Sequence, residues 1–407
     1  MIVDLITPVR SKAQLAALKL ITKIIPSPIP NMLLGAQSRL RLVEHMAHFG
    51  FKRVLLVTDD VLFQLGVISP IEERLNELGI ETVVYSKVTP DPGFLVVENG
   101  LEVLRKNGCD AVLAVGGGSS IDAAKVMALA ATNSKTPREL VGILKARKRS
   151  LPLFVIPTTA GTGSEVTIGA VISDETTHVK HLVIDPKVVP LAAALDPEIT
   201  AGMPKSVTAD TGVDALTHCL ESWISDFSTP ETEFYSGAGI KLVFKYLEKV
   251  CKNGQDYEAR DAMALAANYG GLALNKTALG YVHAIAHQLG TQYGVPHGRA
   301  NAIVLPHILE VNRHCAQARM AALARLCDLA TEAETDSQAA DKLIQRVNAL
   351  LAALPIEREV KGINEKHFTV MAKAAMREAH GTYAVPKYLN KKDIIKVLRV
   401  ISKQTAQ

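Results

Sequence analysis

Short apolar runs alternate with longer helical patterns through the first half of the chain. The segments between the runs, such as 70–79 and 94–109, carry apolar residues at helical spacing. The runs are rich in β-branched and aliphatic residues and have the length of buried strands: RVLLVTD (53–59), ETVVYSKV (81–88), AVLAV (111–115) and LPLFVIPTT (151–159). This alternation predicts an α/β fold with a doubly wound, mostly parallel sheet and helices on both faces.

The pattern changes in the second half. Residues 166–190 contain two β-rich runs around a polar turn, which predicts a hairpin. From LDPEIT (195–200) nearly to the end, apolar residues recur with a period of 3.6, which predicts helices only. We therefore expect three parts: an N-terminal extension over 1–27, an α/β domain over 28–197 and an all-helical domain over 198–407.

The composition is that of a globular protein with large cores. The chain has 407 residues, of which 48% are hydrophobic and 21% charged. The net charge of +4 gives no reason to expect binding to nucleic acid or to a membrane surface. The basic cluster LKARKRS (144–150) is short, so we interpret it as a solvated turn rather than a phosphate-binding patch.

The cysteines and the N-terminal residues indicate the cellular compartment of the protein. There are 5 cysteines, widely spaced and without a C-x-x-C pair, which argues against a disulfide framework and fits a reducing compartment. The first residues lack the order of a signal peptide. We therefore expect a cytoplasmic protein. Residues 12–25 have helical amphipathicity, which indicates a short docking helix, with a targeting peptide as the alternative.

A glycine triplet lies between a predicted strand and a predicted helix. Gly116, Gly117 and Gly118 follow AVLAV and precede Ser119. Glycines let backbone N–H groups approach a ligand, and a helix N-terminus adds donors and a positive dipole end. The placement predicts a pyrophosphate site, with a plain turn as the alternative, because the sequence is not G-x-G-x-x-G.

Other polar residues end neighbouring strands. Asp59 ends the first strand; it could bind the ribose hydroxyls of an adenosine and repel a 2′-phosphate, or it could cap the next helix. Thr158 and Thr159 end the fourth strand and are followed by Thr162 and Ser164. Small hydroxyl residues at the carboxyl ends of strands line the crevice in which doubly wound sheets bind ligands.

The helical half contains two pairs of candidate metal ligands. Asp214 and His218 lie four residues apart in one helical segment, as do His283 and His287 in another, so each pair shares a helix face. His297 follows a loop, YGVPHG, and can fold back towards them. Imidazole and carboxylate groups suit Fe(II), Zn(II) or a similar ion and do not suit Ca²⁺.

Several segments together resemble the iron-containing (group III) alcohol dehydrogenases over roughly residues 28–400. They are VTDD (57–60), GGGSSIDAAK (116–125), PTTAGTGSEVT (157–167), TGVDALTHCLES (211–222) and GYVHAIAHQLGTQYGVPHGRANAIVLPH (280–307). The resemblance implies an NAD-binding α/β domain and a metal-binding helical domain.

The resemblance also implies roles for individual residues. It implies four metal ligands, Asp214, His218, His283 and His297, and it places His287 near the nicotinamide as the catalytic residue. It implies the following cofactor-binding residues: Asp59, Gly117, Gly118, Ser119, Thr158, Thr159 and Lys180. We expect Asp122, Thr162 and Thr167 to bind the cofactor as well. Gly169 stands where lactaldehyde-reducing members carry a polar residue, which argues against a diol substrate.

We expect from this an alcohol dehydrogenase or aldehyde reductase that uses NAD rather than NADP, holds Fe(II) or alternatively Zn(II), and forms a homodimer. The metal would polarise the oxygen of a small alcohol or aldehyde, and the alcohol proton would leave through a ribose hydroxyl, water or His287. Two alternatives stay open. One is a glycerol dehydrogenase or a dehydroquinate-synthase-like lyase; the other is a scaffold without catalysis.

Overall fold

The computed structural model describes Lys19 and residues 27–177 and 179–405. The predicted N-terminal extension and its amphipathic segment lie outside the described residues, apart from Lys19 and residue 27. Within the described residues, no helix is both long and apolar enough to cross a membrane.

The strands form two sheets. The larger sheet has the order β1-β9-β6-β4-β2-β3, and all its pairings are parallel. The smaller sheet has the order β5-β8-β7, and β7 and β8 form the predicted antiparallel hairpin. The strands are β1 (Asn31–Leu34), β2 (Arg53–Asp59), β3 (Glu81–Val88), β4 (Ala111–Gly116), β5 (Gly142–Ile143), β6 (Leu153–Pro157), β7 (Gly169–Ser173), β8 (Lys180–Ile184) and β9 (Ala192–Leu195).

Helices alternate with the strands and then follow one another to the end of the described chain. Those up to residue 200 are α1 (Ser38–Ala47), α2 (Asp60–Gln64), α3 (Ser69–Glu77), α4 (Phe94–Lys106), α5 (Gly118–Asn133) and α6 (Pro197–Thr200). The later ones are α7 (Lys205–Ile224), α8 (Pro230–Lys252), α9 (Tyr257–Thr277), α10 (Tyr281–Tyr293), α11 (His297–Asn312), α12 (Gln317–Leu326), α13 (Asp336–Ala353), α14 (Glu365–Ala379) and α15 (Lys391–Thr405). The predicted fold class is confirmed.

The central strands are apolar throughout because both faces of the larger sheet are covered. Val112 and Ala114 of β4 belong to the buried cluster on one face, whereas Leu113 and Val115 belong to the cluster on the other. Side chains alternate along a strand, so covering both faces removes the polar alternation. Strand β9 was not predicted, because its sequence, AAAL, has none of the β-branched residues typical of buried strands.

The chain divides into two compact units. The sheet unit comprises Pro26–Met203 and Gly254–Gly271; the helical unit comprises Pro204–Asn253 and the described residues of Leu272–Gln407. The first segment of the sheet unit ends at Met203, and the sequence prediction places the boundary at residue 197. The continuous helical domain over 198–407 is not observed, however, because residues 254–271 pack in the sheet unit.

Two glycines explain this packing. Gly163 has φ +60°, and a Cβ on it would lie 2.4 Å from the backbone oxygen of Ala267. A Cβ on Gly271 would lie 2.5 Å from the backbone oxygen of Gly163. Asn268 donates a hydrogen bond of 2.8 Å to buried Glu165. Backbone contacts of this kind leave no periodic signal in the sequence, so helical spacing alone could not assign residues 254–271 to the sheet unit.

Candidate active site

Four side chains from three helices converge in the helical unit. Asp214 and His218 lie one turn apart on α7, His283 lies on α10, and His297 begins α11. Their ligand atoms all lie within 4.8 Å of one another, and all four residues are at least partly buried. The structure therefore brings together all four residues that the sequence predicted as metal ligands.

The spacing of the donor atoms fits one divalent cation. Asp214 Oδ1 lies 3.3 Å from Nε2 of His297, 3.6 Å from Nε2 of His283 and 3.9 Å from Nε2 of His218. Four ligands that each lie about 2.1 Å from a tetrahedral ion are separated by about 3.4 Å. One carboxylate and three imidazoles suit Fe(II) and Zn(II) equally well. The residues present therefore fit the expected metal.

Glu221, one turn after His218 on α7, orients His283. Its carboxylate accepts hydrogen bonds from His283 Nδ1 at 2.6 Å, from the Gly280 amide at 2.8 Å and from the Val282 amide at 2.7 Å. A carboxylate on Nδ1 holds the ring with Nε2 directed to the cluster, and it also satisfies amides at the start of α10. A Cβ on Gly280 would lie 2.6 Å from Glu221 Oε1, so a side chain there would displace the carboxylate.

Gly298 brings the start of α11 against α7. A Cβ on Gly298 would lie 2.1 Å from the backbone oxygen of Asp210, one turn before Asp214, so only glycine permits this approach. The preceding His297 is thereby held within reach of Asp214. Asn301, fully buried on α11, donates its Nδ2 to Asp214 Oδ1 at 2.7 Å and so fixes the carboxylate.

Burial and mutual charge shift the pKa values of the cluster in different directions. Burial raises the pKa of Asp214, but attraction to His218 and His297 and hydrogen bonds from the histidines outweigh it, so the pKa lies well below its ordinary value. Burial lowers the pKa of His218 to about 4. Burial also lowers the pKa of His283, but Glu221 and Asp214 outweigh it and raise that pKa to about 9.

His287 lies beside the cluster and outside the ligand set. Its ring centroid is 5.3 Å from that of His297, with the planes 22° apart, and 5.9 Å from that of His283. Its Nδ1 lies 2.7 Å from Oε1 of Glu378, in the last turn of α14. The two histidines one turn apart on α10 therefore have separate carboxylate partners.

The second group of predicted residues lies in the sheet unit. Strands β2, β4 and β6 are adjacent and parallel, so Asp59, Gly116 and Thr158 lie at the same edge of the sheet. Gly117 caps α5, which begins at Gly118. A Cβ on Gly118 would lie 2.7 Å from Thr162 Cγ2 and one on Gly117 would lie 3.4 Å from Thr159 Cγ2. The structure therefore brings the glycine loop and the predicted threonines together.

Asp122 and Thr167 make contacts within the sheet unit. Asp122 accepts hydrogen bonds from Ser164 Oγ at 2.5 Å and from the Val171 amide at 2.8 Å. Fully buried Lys125 donates to Thr167 Oγ1 at 2.8 Å and to the Gly169 carbonyl at 2.8 Å. Burial lowers the pKa of Lys125 to about 8, although Asp122 and Glu165 oppose this shift. These contacts tie residues 164–171 to α5.

Asp59 and Lys180 also have partners within the sheet unit. Asp59 Oδ1 accepts the Leu62 amide at 2.9 Å and caps α2, which is the alternative that the sequence left open. Lys180 begins β8, and its Nζ lies 2.7 Å from Asp91 Oδ1. Asp91 has φ +50°, a conformation that only a few residue types adopt readily.

Four residues that support the predicted ones were not predicted from the sequence: Glu221, Asn301, Glu378 and Lys125. Glu221 could have been found, since it lies three residues after His218 on the same helix and shares its face. Asn301 could also have been found, because it lies four residues after His297 on α11. Glu378 lies 91 positions after His287 and Lys125 contacts residues about 40 positions later, so spacing gave no signal for either.

A parallel sheet with a glycine loop at its carboxyl edge and a helical unit with a carboxylate–imidazole cluster are the features expected of the alcohol dehydrogenases that the sequence resembles. Residues 30–197 match the iron-containing alcohol dehydrogenases, and residues 208–402 match the C-terminal part of the Fe-containing alcohol dehydrogenase family. The chain belongs to the iron-containing alcohol dehydrogenase family, as the resemblance predicted.

Relatives cover most of the chain. It is 41% identical over 334 residues to "Alcohol dehydrogenase 4" of Schizosaccharomyces pombe, covering 82% of this chain and 78% of that protein. It is 34% identical to "NAD-dependent methanol dehydrogenase" of Bacillus methanolicus, covering 91% and 97%. The structure of an alcohol dehydrogenase from Oenococcus oeni superposes with a TM-score of 0.89 at 32% identity, covering 93% of this chain and 100% of that one.

Proposed function

We propose that this protein interconverts a primary alcohol and its aldehyde with NAD(H) and a divalent metal ion, Fe(II) by family and Zn(II) as the alternative. The main support for this proposal is the largely buried cluster of one carboxylate and three imidazoles, whose ligand atoms lie within 4.8 Å of one another. Relatives at 32–41% identity have names that include NAD-dependent methanol dehydrogenase, 1,3-propanediol dehydrogenase and lactaldehyde reductase. These names support a small alcohol or aldehyde as the substrate.

Asp214, His218, His283 and His297 hold the metal in this proposal, and Glu221 keeps His283 in the ligating tautomer. When bound, the ion supplies a Lewis acid for the substrate oxygen and the nicotinamide supplies the hydride acceptor or donor. Asp214, His218 and His283 are buried, which strengthens their electrostatic interactions, whereas His297 is partly exposed.

The sheet unit binds the cofactor in this proposal. The free N–H groups at the start of α5, next to Gly117, Gly118 and Ser119, bind the pyrophosphate, and Thr158, Thr159 and Thr162 line the same edge. Asp59 binds the ribose with the oxygen that does not cap α2, and its charge disfavours the 2′-phosphate of NADP. Asp122 and Thr167 shape the adjoining loop, and Lys180 lies beside the cofactor.

His287 is the proposed catalytic residue. In the direction of alcohol oxidation, its Nε2 accepts the proton that leaves the hydroxyl group, directly or through a water molecule, and passes it to solvent. Imidazole is the side chain that most often serves as general acid and base in enzymes. We also propose a cytoplasmic homodimer, supported by the cysteine pattern and by the resemblance to the family.

The experiment that tests this function follows NADH at 340 nm with protein that has been stripped of metal. Fe(II) or Zn(II) is restored anaerobically, and butanol, methanol, 1,3-propanediol, lactaldehyde and glycerol are compared with both NAD(H) and NADP(H). We expect turnover that depends on the metal and on NAD(H). Tight NAD binding without turnover of any substrate under either metal would contradict the proposed function.

A further inference from the structure

His287 and His283 share one helix face, and each has a carboxylate on Nδ1. Glu221 holds His283 at 2.6 Å, and Glu378 holds His287 at 2.7 Å. Nε2 of His283 points to the cluster, where it lies 3.6 Å from Asp214 Oδ1. The metal has its four ligands without His287, so the second carboxylate–histidine pair needs a different explanation.

Glu378 is itself held by a buried tyrosine. Tyr383 Oη donates to Oε1 of Glu378 at 2.7 Å, the same oxygen that His287 contacts. Tyr383 is 4% exposed. Its amide donates to the carbonyl of Ala379 at 2.9 Å, and its own carbonyl accepts from Tyr388 Oη at 2.5 Å. The tyrosine therefore has little freedom to move, and it fixes the carboxylate through the oxygen that His287 also contacts.

The protonation states of Glu378 and Tyr383 agree with these hydrogen bonds. Glu378 Oε1 accepts from both His287 Nδ1 and Tyr383 Oη, and hydrogen bonds of this kind stabilise the ionised carboxylate. Burial and the neighbouring Glu378 raise the pKa of Tyr383 well above its ordinary value. Glu378 is therefore an acceptor only, and Tyr383 keeps its proton. An acceptor on Nδ1 requires that the hydrogen of the neutral imidazole lie on Nδ1.

We propose that Glu378 and Tyr383 are positioning residues that hold His287 in the tautomer with a basic Nε2. This inference rests on the proposed function, in which that nitrogen takes the hydroxyl proton of the alcohol. The proton leaves the substrate oxygen and binds Nε2, while Glu378 stays ionised and stabilises the resulting imidazolium. The arrangement uses the same physical principle as the aspartate of a Ser-His-Asp triad, which orients its histidine and does not itself become protonated.

The test compares Glu378→Ala and Tyr383→Phe with Glu365→Gln, a control at the other, exposed end of the same helix. Proteins labelled with ¹⁵N-histidine report the tautomer of each ring by NMR, and His287→Asn identifies the signals of His287. We expect a neutral Nδ1–H ring in the unmodified protein and in Glu365→Gln. In Glu378→Ala we expect a mixture of both tautomers, with unchanged metal content.

Kinetics gives the second readout. For Glu378→Ala we expect kcat to fall about 100-fold with KM changed less than threefold, since general acid–base catalysis contributes about 10²–10⁴-fold. Added formate should restore part of kcat by occupying the space left by the carboxylate, and Glu378→Asp should retain more activity than Glu378→Ala. Tyr383→Phe, which removes one hydroxyl and is expected to keep the fold, should lower kcat by about five-fold.

An Nδ1–H tautomer that persists in Glu378→Ala would overturn the inference, as would a kcat equal to that of Glu365→Gln. The NMR measurement needs no turnover. If the unmodified protein oxidises no alcohol, the proposed function fails, while the tautomer still decides whether Glu378 orients His287.

Discussion

The candidate site of the helical unit is formed by side chains, whereas that of the sheet unit is formed by backbone amides. The metal cluster uses side-chain atoms on three helices, and further side chains hold two of its members: Glu221 holds His283 and Asn301 holds Asp214. The glycine loop provides backbone amides. It packs closely against its neighbours because its glycines have no side chains. The first site is lost when a donor is removed, whereas the second is lost when an atom is added. Substitutions should therefore separate metal binding from cofactor binding.

The largest effect should follow removal of the central ligand. In Asp214→Ala the three imidazoles lose the carboxylate that lies within 3.3–3.9 Å of each, so we expect no bound metal and a loss of kcat above about 1,000-fold. NAD affinity should stay within about twofold. Metal analysis and a fluorescence titration with NADH check both statements. Asp341→Ala, which removes an ion pair with Arg313, is the control. Full metal content in Asp214→Ala would contradict the ligand assignment.

The next largest effect is the dependence of metal affinity on pH. The His283 pKa, raised to about 9, means that the metal-free protein carries a proton on this ring at pH 7, which the metal must displace. As the pH rises from 7 to 9, less of this proton remains bound, so apparent metal affinity should rise about 50-fold and level off above the pKa. Neutral His218, with a pKa of about 4, adds no proton to this exchange.

Calorimetry in buffers of different ionisation enthalpy should detect about one proton released per metal at pH 7. An affinity independent of pH between 7 and 9 would contradict the raised pKa of His283.

Glu221→Gln tests how much the hydrogen bond from His283 to Glu221 contributes to metal affinity. The glutamine side chain has one accepting oxygen, so it cannot accept all three hydrogen bonds that Glu221 accepts from His283 Nδ1 and from the backbone amides of Gly280 and Val282. We therefore expect metal affinity to fall about 30-fold, within the usual range of 10–100-fold. Competition with a chelator measures it. Glu248→Gln on α8 is the matched control, and equal affinities in the two variants would show that Glu221 does not orient His283.

The smallest effect is expected at the glycine loop. A methyl group in Gly118→Ala would lie 2.7 Å from Thr162 Cγ2, so the loop must shift and NAD affinity should fall about tenfold. Metal content should not change. Gly202→Ala adds a methyl group where no atom lies within 4 Å, and it should leave NAD affinity unchanged. A loss of metal in Gly118→Ala would break the distinction between the two sites.

The same distinction explains what the sequence could predict. Asp214, His218 and His283 were found because ligands on helices repeat at fixed intervals, and His297 because a loop separates it from such a pair. The glycine loop was found from its place between strand and helix. Glu378 and Lys125 were not found, because a single carboxylate or ammonium group distant in sequence from its partner leaves no pattern. The alanine strand β9 was missed because burial by neighbouring strands, rather than intrinsic preference, makes it a strand.

The close approach of Gly163 and Gly271 has a consequence for the order of folding during synthesis. All the strands of the larger sheet have been synthesised by residue 195, but the helix that packs on the loop at Gly163 contributes to the sheet unit up to residue 271. Domains commonly fold as units from the N-terminus during synthesis. Here the first unit stays incomplete for about 70 further residues, so its glycine-lined surface is exposed until the chain returns to cover it.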